Sequence, residues 1–408
     1  METIFLTLGA PFFRHEGRLF IEAQTASGLK AWQREFSRVI TCSICHAGPP
    51  PAGWIDAETG GLVLPEYELI ELPDGYRMPT YVKTRPQVKA LLRDALRRAD
   101  YRLFAIGGWI GDWGIFGARL AAAEGLSHGI WFDRVESQVF ATTHDGSLKG
   151  RLRAWLKSRI TAVREDEVLA KADLALLHGQ TVFDQFRDKT RNPQIVEDIH
   201  LEESDRIPAE ALQRKLSGAA TDVLRIRYVG RADRMKGGLL WVQALEALAR
   251  AGVPFEAEWA GDGPQLEEMR QQVGQAGLAD RVVFHGFVSD RQKVLEILRG
   301  AHVLMFCHMT DESPRNLIEA LHAATPLVGF RDTYAQRLVS ERGAGCLVDR
   351  GDAEALARAV ASLNADRAAL RDLIEKASQS GRHLTRSQVF ADRARIVRDN
   401  LGYRREAA

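Results

Sequence analysis

The 408-residue sequence predicts two doubly wound α/β domains, each a parallel sheet between helical layers. Three observations carry that reading. Short apolar runs alternate with amphipathic helical patterns along most of the chain, as parallel sheets covered by helices on both faces require. Several of those runs end in Gly- or Pro-containing turns that open a helix, the junction where open α/β sheets bind ligands. The length, at about 150 residues per domain, suits two full-sized cores.

In the first half, strands are expected at Ile4–Leu8, Arg38–Ile44, Leu103–Ile106, His128–Phe132, Leu174–His178 and Gln194–Val196. Helices are expected at Pro86–Arg98, Gly117–Ala123 and Leu148–Ala170. In the second half, Val223–Val229, Phe255–Trp259, Val282–Phe284, Val303–Cys307 and Leu327–Phe330 each read as a strand leading into a helix. The polar stretch Glu202–Pro208, a short helix Ala209–Leu216 and a break at Ser217-Gly218 mark the seam. The domains are therefore expected at 1–208 and 221–380, with C-terminal helices 383–408 packing back on the first.

Composition excludes several classes. At 45% hydrophobic and 27% charged residues, the chain is neither disordered nor fibrous. A net charge of +1, from 55 Lys and Arg against 54 Asp and Glu, gives no global field for nucleic acid. Four cysteines do not make a disulfide framework. The N-terminus has no basic region ahead of its apolar residues and reads as a strand. The run Leu103–Gly111 stops at Asp112, short of the ~20 residues of a membrane span. A cytoplasmic protein is expected.

The chemistry lies at the strand ends of the second half. Gly230 opens a loop bracketed by the cations Arg231 and Lys236 and followed by a helix, which suits a phosphate or diphosphate; a solvated basic loop is the plain alternative. Gly261 and Gly263 let the next loop pass close to a ligand, and Pro264 suits a first helical turn. His285, Gly286 and Phe287 follow the third strand, where backbone can face a planar base. After the fourth, Ser313 reads as a helix N-cap and Pro314 as the first helical residue. Arg315, Asn316 and Leu317 continue that helix, and Glu319 falls within its second turn, where a carboxylate can accept two ribose hydroxyls. Asp311 and Glu312 precede the cap, an acidic cluster suited to sugar hydroxyls, although the dipole favours acids there in any helix.

Taken in order, GRADRMKGG, AGDGP, VVFHGFV and DESPRNLIEAL followed by ATPLVGF resemble the retaining glycosyltransferases of family four, which have the GT-B architecture. The resemblance runs from Arg227 to Asp349. It implies two Rossmann-like domains facing across a cleft, the second holding a nucleotide-diphosphate sugar and the first an acceptor. It implies that Arg231 and Lys236 contact the donor diphosphate, that Glu319 holds the ribose, and that Gly261, Gly263 and the His285–Phe287 segment lie against the nucleotide. The first acid of the family's paired-glutamate motif departs here: spacing selects Asp311, residue type selects Glu312. The implied reaction is hexosyl transfer with retention, needing no metal and no cofactor beyond the sugar substrate, with a saccharide or lipid-linked saccharide as acceptor. A nucleotide-sugar epimerase of the same architecture and a non-catalytic carbohydrate-binding subunit are the alternatives.

The first half is less explicit. Gly107 to Gly114 spaces its glycines G-x-x-G-x-x-G, not the dinucleotide pattern G-x-G-x-x-G. Trp109 and Trp113 suit stacking on a sugar or, equally, packing. Asp133 and Arg134 stand where relatives place a histidine; Asp133 and Glu136 are candidates for acceptor hydroxyls, with plain surface carboxylates as the alternative, and His144 is a further loop candidate. Cys42-Ser-Ile-Cys45-His46 spells a haem-attachment pattern but reads as buried thiols of a strand. Residues 147–164 form a basic amphipathic helix without an acid. Such a helix can touch an anionic membrane, placing the protein peripherally on the inner face, but packing of its apolar side on the sheet is the expected arrangement.

Overall fold

In the first strand, β1 (Thr3–Thr7), alternate residues serve different cores: Phe5 joins one hydrophobic cluster, Ile4 and Leu6 another. This period of two is what a strand buried on both faces requires. The computed structural model describes residues 2–142, 147–197, 199, 201–310 and 314–401. His144, Asp311, Glu312 and Ser313 lie outside the described residues. The chain divides into two units, Met1–Glu197 with Phe390–Ala408, and Asp198–Val389.

The first unit continues with β2 (Phe12–His15), β3 (Arg18–Glu22), α1 (Ala23–Glu35), β4 (Arg38–Ala47), β5 (Trp54–Asp56), β6 (Tyr67–Leu72), α2 (Met78–Arg98), β7 (Tyr101–Ala105) and α3 (Trp113–Ala123). Then come β8 (Gly129–Phe132), α4 (Glu136–Thr142), α5 (Leu148–Lys171), β9 (Leu174–His178), α6 (Gly179–Phe186) and β10 (Pro193–Val196). The sheet order is β10-β9-β8-β7-β1-β4-β2-β3-β5, with β6 also paired to β4. It is parallel except at β2–β3 and β3–β5. Residues of α2, α3, α5 and α6 build the core on one face; α1 and the buried Ala394, Val397 and Leu401 build the other.

The second unit is more regular. It contains α7 (Ala209–Thr221), β11 (Leu224–Val229), α8 (Gly238–Arg250), β12 (Phe255–Ala260), α9 (Leu266–Gln275), β13 (Val282–Gly286), α10 (Arg291–Gly300), β14 (Val303–Phe306) and α11 (Arg315–His322). These are followed by β15 (Leu327–Phe330), α12 (Thr333–Arg342), β16 (Gly345–Val348), α13 (Ala353–Ala365), α14 (Arg367–Gly381) and α15 (Arg386–Leu401), whose residues from Phe390 belong to the first unit. Its six strands run in the order β13-β12-β11-β14-β15-β16, all parallel. The order reverses between β11 and β14, the switch point at which such sheets bind ligands.

Five expectations change. The seam falls at 197, not 208, because Ile199, Leu201 and Ile207 are buried in the second unit's core. The return falls at 390 rather than 383, since Leu384 and Val389 belong to that same core. Helix α7 runs through Ser217-Gly218 to Thr221, held by buried Leu216 and Ala219 on either side. Helix α2 starts at Met78, eight residues before Pro86. Pro86 removes only the bond to the Val82 carbonyl, and Val82 is exposed to water.

The fifth change concerns α5. Its buried residues are Ala154, Thr161, Glu165, Val168 and Leu169. Of the apolar face expected to pack on the sheet, Leu148, Leu152, Trp155, Leu156 and Val163 are exposed and Ile160 is half-buried. Inward, α5 packs on α3 and α4, and its Glu165 carboxylate accepts from the Ser137 amide (3.1 Å).

Candidate functional site

At the switch point, the loops after β11, β12 and β13 touch backbone to backbone. Gly230 N donates to Ala260 O (2.9 Å), Ala232 N to Asp262 O (3.0 Å) and Gly261 N to Gly286 O (2.8 Å). The glycines make this approach sterically possible. A Cβ on Gly261 would sit 1.8 Å from the Gly230 carbonyl oxygen, and one on Gly263 2.4 Å from that of Ala232. Gly237, in the left-handed region at φ 66°, would press a Cβ to 2.1 Å from Cys307 O. What these glycines approach is one another's loops, so they fix the site's geometry before any ligand arrives.

Asp233 organises the basic loop. Its carboxylate accepts from the Lys236 amide (3.1 Å) and pairs with Arg231 (3.2 Å). Arg231 remains 71% exposed, whereas Lys236 is buried to 9%. The charge of Lys236 and, above all, burial hold the nearby His308 far below its usual range, at about 3. His308 Nε2 bonds the buried Tyr228 hydroxyl at 2.9 Å, and Tyr228 stacks on Trp259 with centroids 4.2 Å apart. The loop after β14 is tied to the basic loop by Met309 N donating to Met235 O (2.8 Å).

Helix α11 enters the same place. Asn316 Nδ2 donates to Val229 O at 2.7 Å, pinning the helix start to the end of β11. Pro314 stands at the N-cap position and Arg315 is the first helical residue, one position later than expected. Arg315 is exposed and Glu319 half-buried. Leu317, by contrast, is fully buried in the core and its amide already bonds Pro314 O (3.2 Å), so it is withdrawn as a binding residue. Two buried polar atoms here, His308 Nδ1 and Asn316 Oδ1, find no partner among the described residues. Orphans of this kind occur in both units, and a polar group bound here would complete the bonding of these two.

The segment beside the expected base differs in part. His285 and Gly286 are strand residues of β13, and His285 Nε2 pairs with Glu258 (2.9 Å), itself paired with Arg227 (2.6 Å). That network occupies the imidazole. Phe287 is 77% exposed next to it.

In the first unit the strand ends are built differently. Trp113 is buried, donates Nε1–H to Pro73 O (2.8 Å) and packs on Tyr81 and Phe116, which removes it as a stacking residue. Asp112 caps α3 by accepting from Gly114 and Ile115, and burial raises its pKa despite those bonds. Close packing accounts for the glycines: a Cβ on Gly111 would meet Gly75 O at 1.8 Å, one on Gly114 Ala105 O at 2.1 Å. Trp109 is half-buried, edge-on to Phe140, with Lys157 Nζ 4.9 Å above its ring. Glu136 is buried and paired with Arg134 (2.6 Å).

Asp133 at the end of β8 pairs with His178 Nδ1 at the end of β9 (2.9 Å). His178 Nε2 lies 2.8 Å from the Arg393 guanidinium. Because an arginine only donates, Nε2 accepts and Nδ1–H donates to Asp133. Neither His178 nor His308 is singled out by sequence pattern; each is the polar residue that closes or follows a run of apolar strand residues. Among the described residues no His, Cys, Asp and Glu cluster suits a metal. Cys42 and Cys45 are free thiols in the cores on opposite faces of β4.

Residues 210–380 match the family described as Glycosyl transferases group 1. Over 246 residues the chain is 31% identical to the 2-deoxystreptamine N-acetyl-D-glucosaminyltransferase of Streptomyces fradiae, covering 59% of this chain and 53% of that protein. It is 27% identical over 173 residues to the lipopolysaccharide core biosynthesis glycosyltransferase LpsE of Rhizobium meliloti, covering 42% and 48%. These matches therefore span about half the length of the curated relatives. Among solved structures, Anabaena Alr3699/HepE in complex with UDP aligns over 98% of this chain and 100% of its own, with TM-score 0.61 and 15% identity. WaaG, a glycosyltransferase involved in lipopolysaccharide biosynthesis, aligns over 97% and 99% with TM-score 0.53 and 13% identity. That likeness establishes the GT-B fold, two Rossmann-like domains.

Proposed function

Residues 210–380 being a glycosyl transferases group 1 domain, we propose that this chain is a retaining glycosyltransferase of the family-four type. It moves a hexosyl group from a nucleotide-diphosphate sugar to a saccharide or glycolipid hydroxyl, in polysaccharide or glycoconjugate biosynthesis. The observation that carries this reading is the convergence of three strand-end loops and the start of α11 on one switch point, with Lys236 buried among them.

In this reading the glycosidic bond between the anomeric carbon and the diphosphate oxygen breaks. The new bond to the acceptor oxygen forms on the same face of the sugar, and the acceptor proton leaves with the diphosphate. Lys236 and Arg231 offset the charge that develops on the leaving group, fixed in place before the reaction. Glu319 accepts the ribose hydroxyls, Phe287 offers its open face to the base, and Glu312 or Asp311 contacts the donor sugar. The chain's part is positioning and electrostatic stabilisation, with no metal assigned a role. In the first unit Trp109, Asp133 and Glu136 are the candidates for acceptor contact.

Product analysis tests the reading. Incubation with UDP-, GDP- or ADP-linked hexoses and a panel of saccharide acceptors is expected to yield a glycoside with the donor's anomeric configuration. An inverted product would refute retention. A nucleotide-linked sugar epimerised without acceptor would replace transferase by epimerase. Glu319→Ala is expected to weaken donor use at least tenfold, and unchanged kinetics would remove the ribose assignment.

A further inference from the structure

Helix α5 presents the largest unpartnered apolar feature among the described residues. Leu148, Leu152, Trp155, Leu156 and Val163 are 84%, 64%, 58%, 52% and 68% exposed. At ~100° per residue these five positions and Arg159 fall within an arc of about 100°, and from Leu148 to Val163 the stripe is about 22 Å long. The buried Ala154, Thr161, Glu165, Val168 and Leu169 occupy the opposite side, so the stripe points away from the unit.

Charge identifies what covers it. No acid occurs between Ser147 and Arg164. Lys149 and Arg153 flank the stripe on one side, Arg151 flanks it on the other, and Arg159 lies within it. None of these four has an ion-pair partner among the described residues. Acids appear only beyond this region, where Asp166 pairs with Lys189 and Glu167 with Lys171. An apolar groove on a protein would have to bury Arg159 along with the leucines. At a bilayer surface the leucines and Trp155 enter the interface while the cations reach outward to anionic headgroups.

We infer that α5 is a peripheral docking helix that seats the first unit on an anionic lipid surface through Leu148, Leu152, Trp155, Leu156 and Val163 and their flanking cations. The same helix holds the strand-end loops. A Cβ on Gly108 would lie 2.6 Å from Thr161 Cγ2, and Lys157 sits over both Trp109 and Phe140. Docking therefore holds the loop that carries Trp109 about one helix diameter, ~10 Å, from the membrane surface. On the proposed transferase reading, that is where a lipid-linked acceptor presents its sugar. No helix among the described residues is long and apolar enough to cross a membrane, so attachment through α5 lies on the surface.

Co-sedimentation of the full chain with extruded vesicles tests this. Vesicles of phosphatidylcholine with about one third phosphatidylglycerol are compared with pure phosphatidylcholine. The protein is expected to bind the anionic vesicles at least tenfold more strongly, with binding falling as salt rises. The triple variant Leu148→Ser, Leu152→Ser, Trp155→Ser and the charge reversal Arg151→Glu, Arg153→Glu, Arg159→Glu are each expected to lose at least tenfold in vesicle affinity. All six side chains are exposed, so melting temperature should be unchanged. Equal binding to both vesicle types, or a triple variant that binds like the wild type, overturns the inference. A wild-type dimer that the triple variant converts to monomer also overturns it and assigns the stripe to a second copy. Nucleotide-induced stabilisation, measured on the same variants, is expected to stay at the wild-type level. Its absence from wild type would count against the transferase reading and leave the docking result standing.

Discussion

The strand ends of the two units solve opposite problems. In the second unit, glycines let three loops bond backbone to backbone, and buried polar atoms are left over at the point where they meet. In the first, comparable glycines bring loops just as close and the charged side chains there are consumed, Asp112 in a helix cap and Asp133 and His178 in a chain ending at Arg393, although Thr161 Oγ1 beside Gly108 is left over as well. The difference teaches what a glycine-rich strand end does and does not signify. Close backbone approach is common to both units. A binding site requires, in addition, a buried charge such as that of Lys236 placed where the loops meet.

The sharpest way to break the comparison is a methyl group at matched positions. Gly261→Ala and Gly111→Ala each place a Cβ 1.8 Å from a carbonyl oxygen, and each is expected to cost about 1–3 kcal/mol, or more, in denaturant unfolding. Only Gly261→Ala should also abolish nucleotide binding. If both variants lost it equally, the two strand ends would not differ as described.

Next in size is Lys236→Ala, expected to lower kcat by about 100-fold or more with the fold intact, the scale of losing one preorganised charge-stabilising group. Steady-state kinetics beside circular dichroism check it. Arg231→Ala, at an exposed position already paired with Asp233, should lose less. A reversed ranking would move the centre of the diphosphate site.

His178→Ala leaves the buried Arg393 and Asp133 without their bridge. It should cost about 1–3 kcal/mol, read as a lowered melting temperature of the first unit, with nucleotide binding unchanged. A variant of wild-type stability would show that the Asp133–His178–Arg393 chain does not hold β8, β9 and α15 together.

Acid sharpens the comparison further. In the second unit, burial holds His302 and His308 at about 3 and lowers His322. Each binds its proton in the unfolded chain near pH 6.5 but not in the fold. The stability that His302 and His308 contribute is complete above that pH and is lost as pH falls toward 3, by about 1.4 kcal/mol per pH unit for each, and His322 acts in the same direction. In the first unit, burial raises Asp112 and Glu165, whose contribution is complete below the ordinary carboxylate range and is lost as pH rises through their raised values. His128, also lowered, partly offsets this. Urea unfolding between pH 7 and 4.5 should therefore weaken the second unit more than the first. Equal loss in both would contradict the assignment of the histidines.

The smallest expected effect is at Phe287. Being 77% exposed, it should change stability by less than about 0.5 kcal/mol when replaced by Ala. Nucleotide affinity, measured by titration calorimetry, should fall several-fold if its ring faces the base.

How much of this was legible in the sequence follows from which physical signals are local. The second unit's strands are buried on both faces and read as short apolar runs, and the turns after them carry Gly and Pro at fixed offsets. Their positions, and the gathering of Gly230, Lys236, Gly261 and Asn316, were therefore visible. The antiparallel β2, β3 and β5 were not, being short and mixed in exposure. Leu317 was misplaced, and Trp113 was left between stacking and packing, because residue type does not tell which side of a helix faces the core. For α5 the apolar period was read correctly and its direction was not. A stripe of Leu148, Leu152, Trp155 and Leu156 looks the same whether it packs inward or meets another surface. His178 and His308 acquire partners only through sheet order, which brings β8 beside β9 and β14 beside β11.

The central claim is that the switch point of the second unit is a nucleotide-diphosphate site built around Lys236. Thermal unfolding with UDP, GDP and ADP, without added metal, tests it most directly. One nucleotide at about 100 times its dissociation constant should stabilise the protein by about 2.7 kcal/mol. That shift should vanish in Lys236→Ala. No shift with any of the three, or one that survives in Lys236→Ala, would contradict the account.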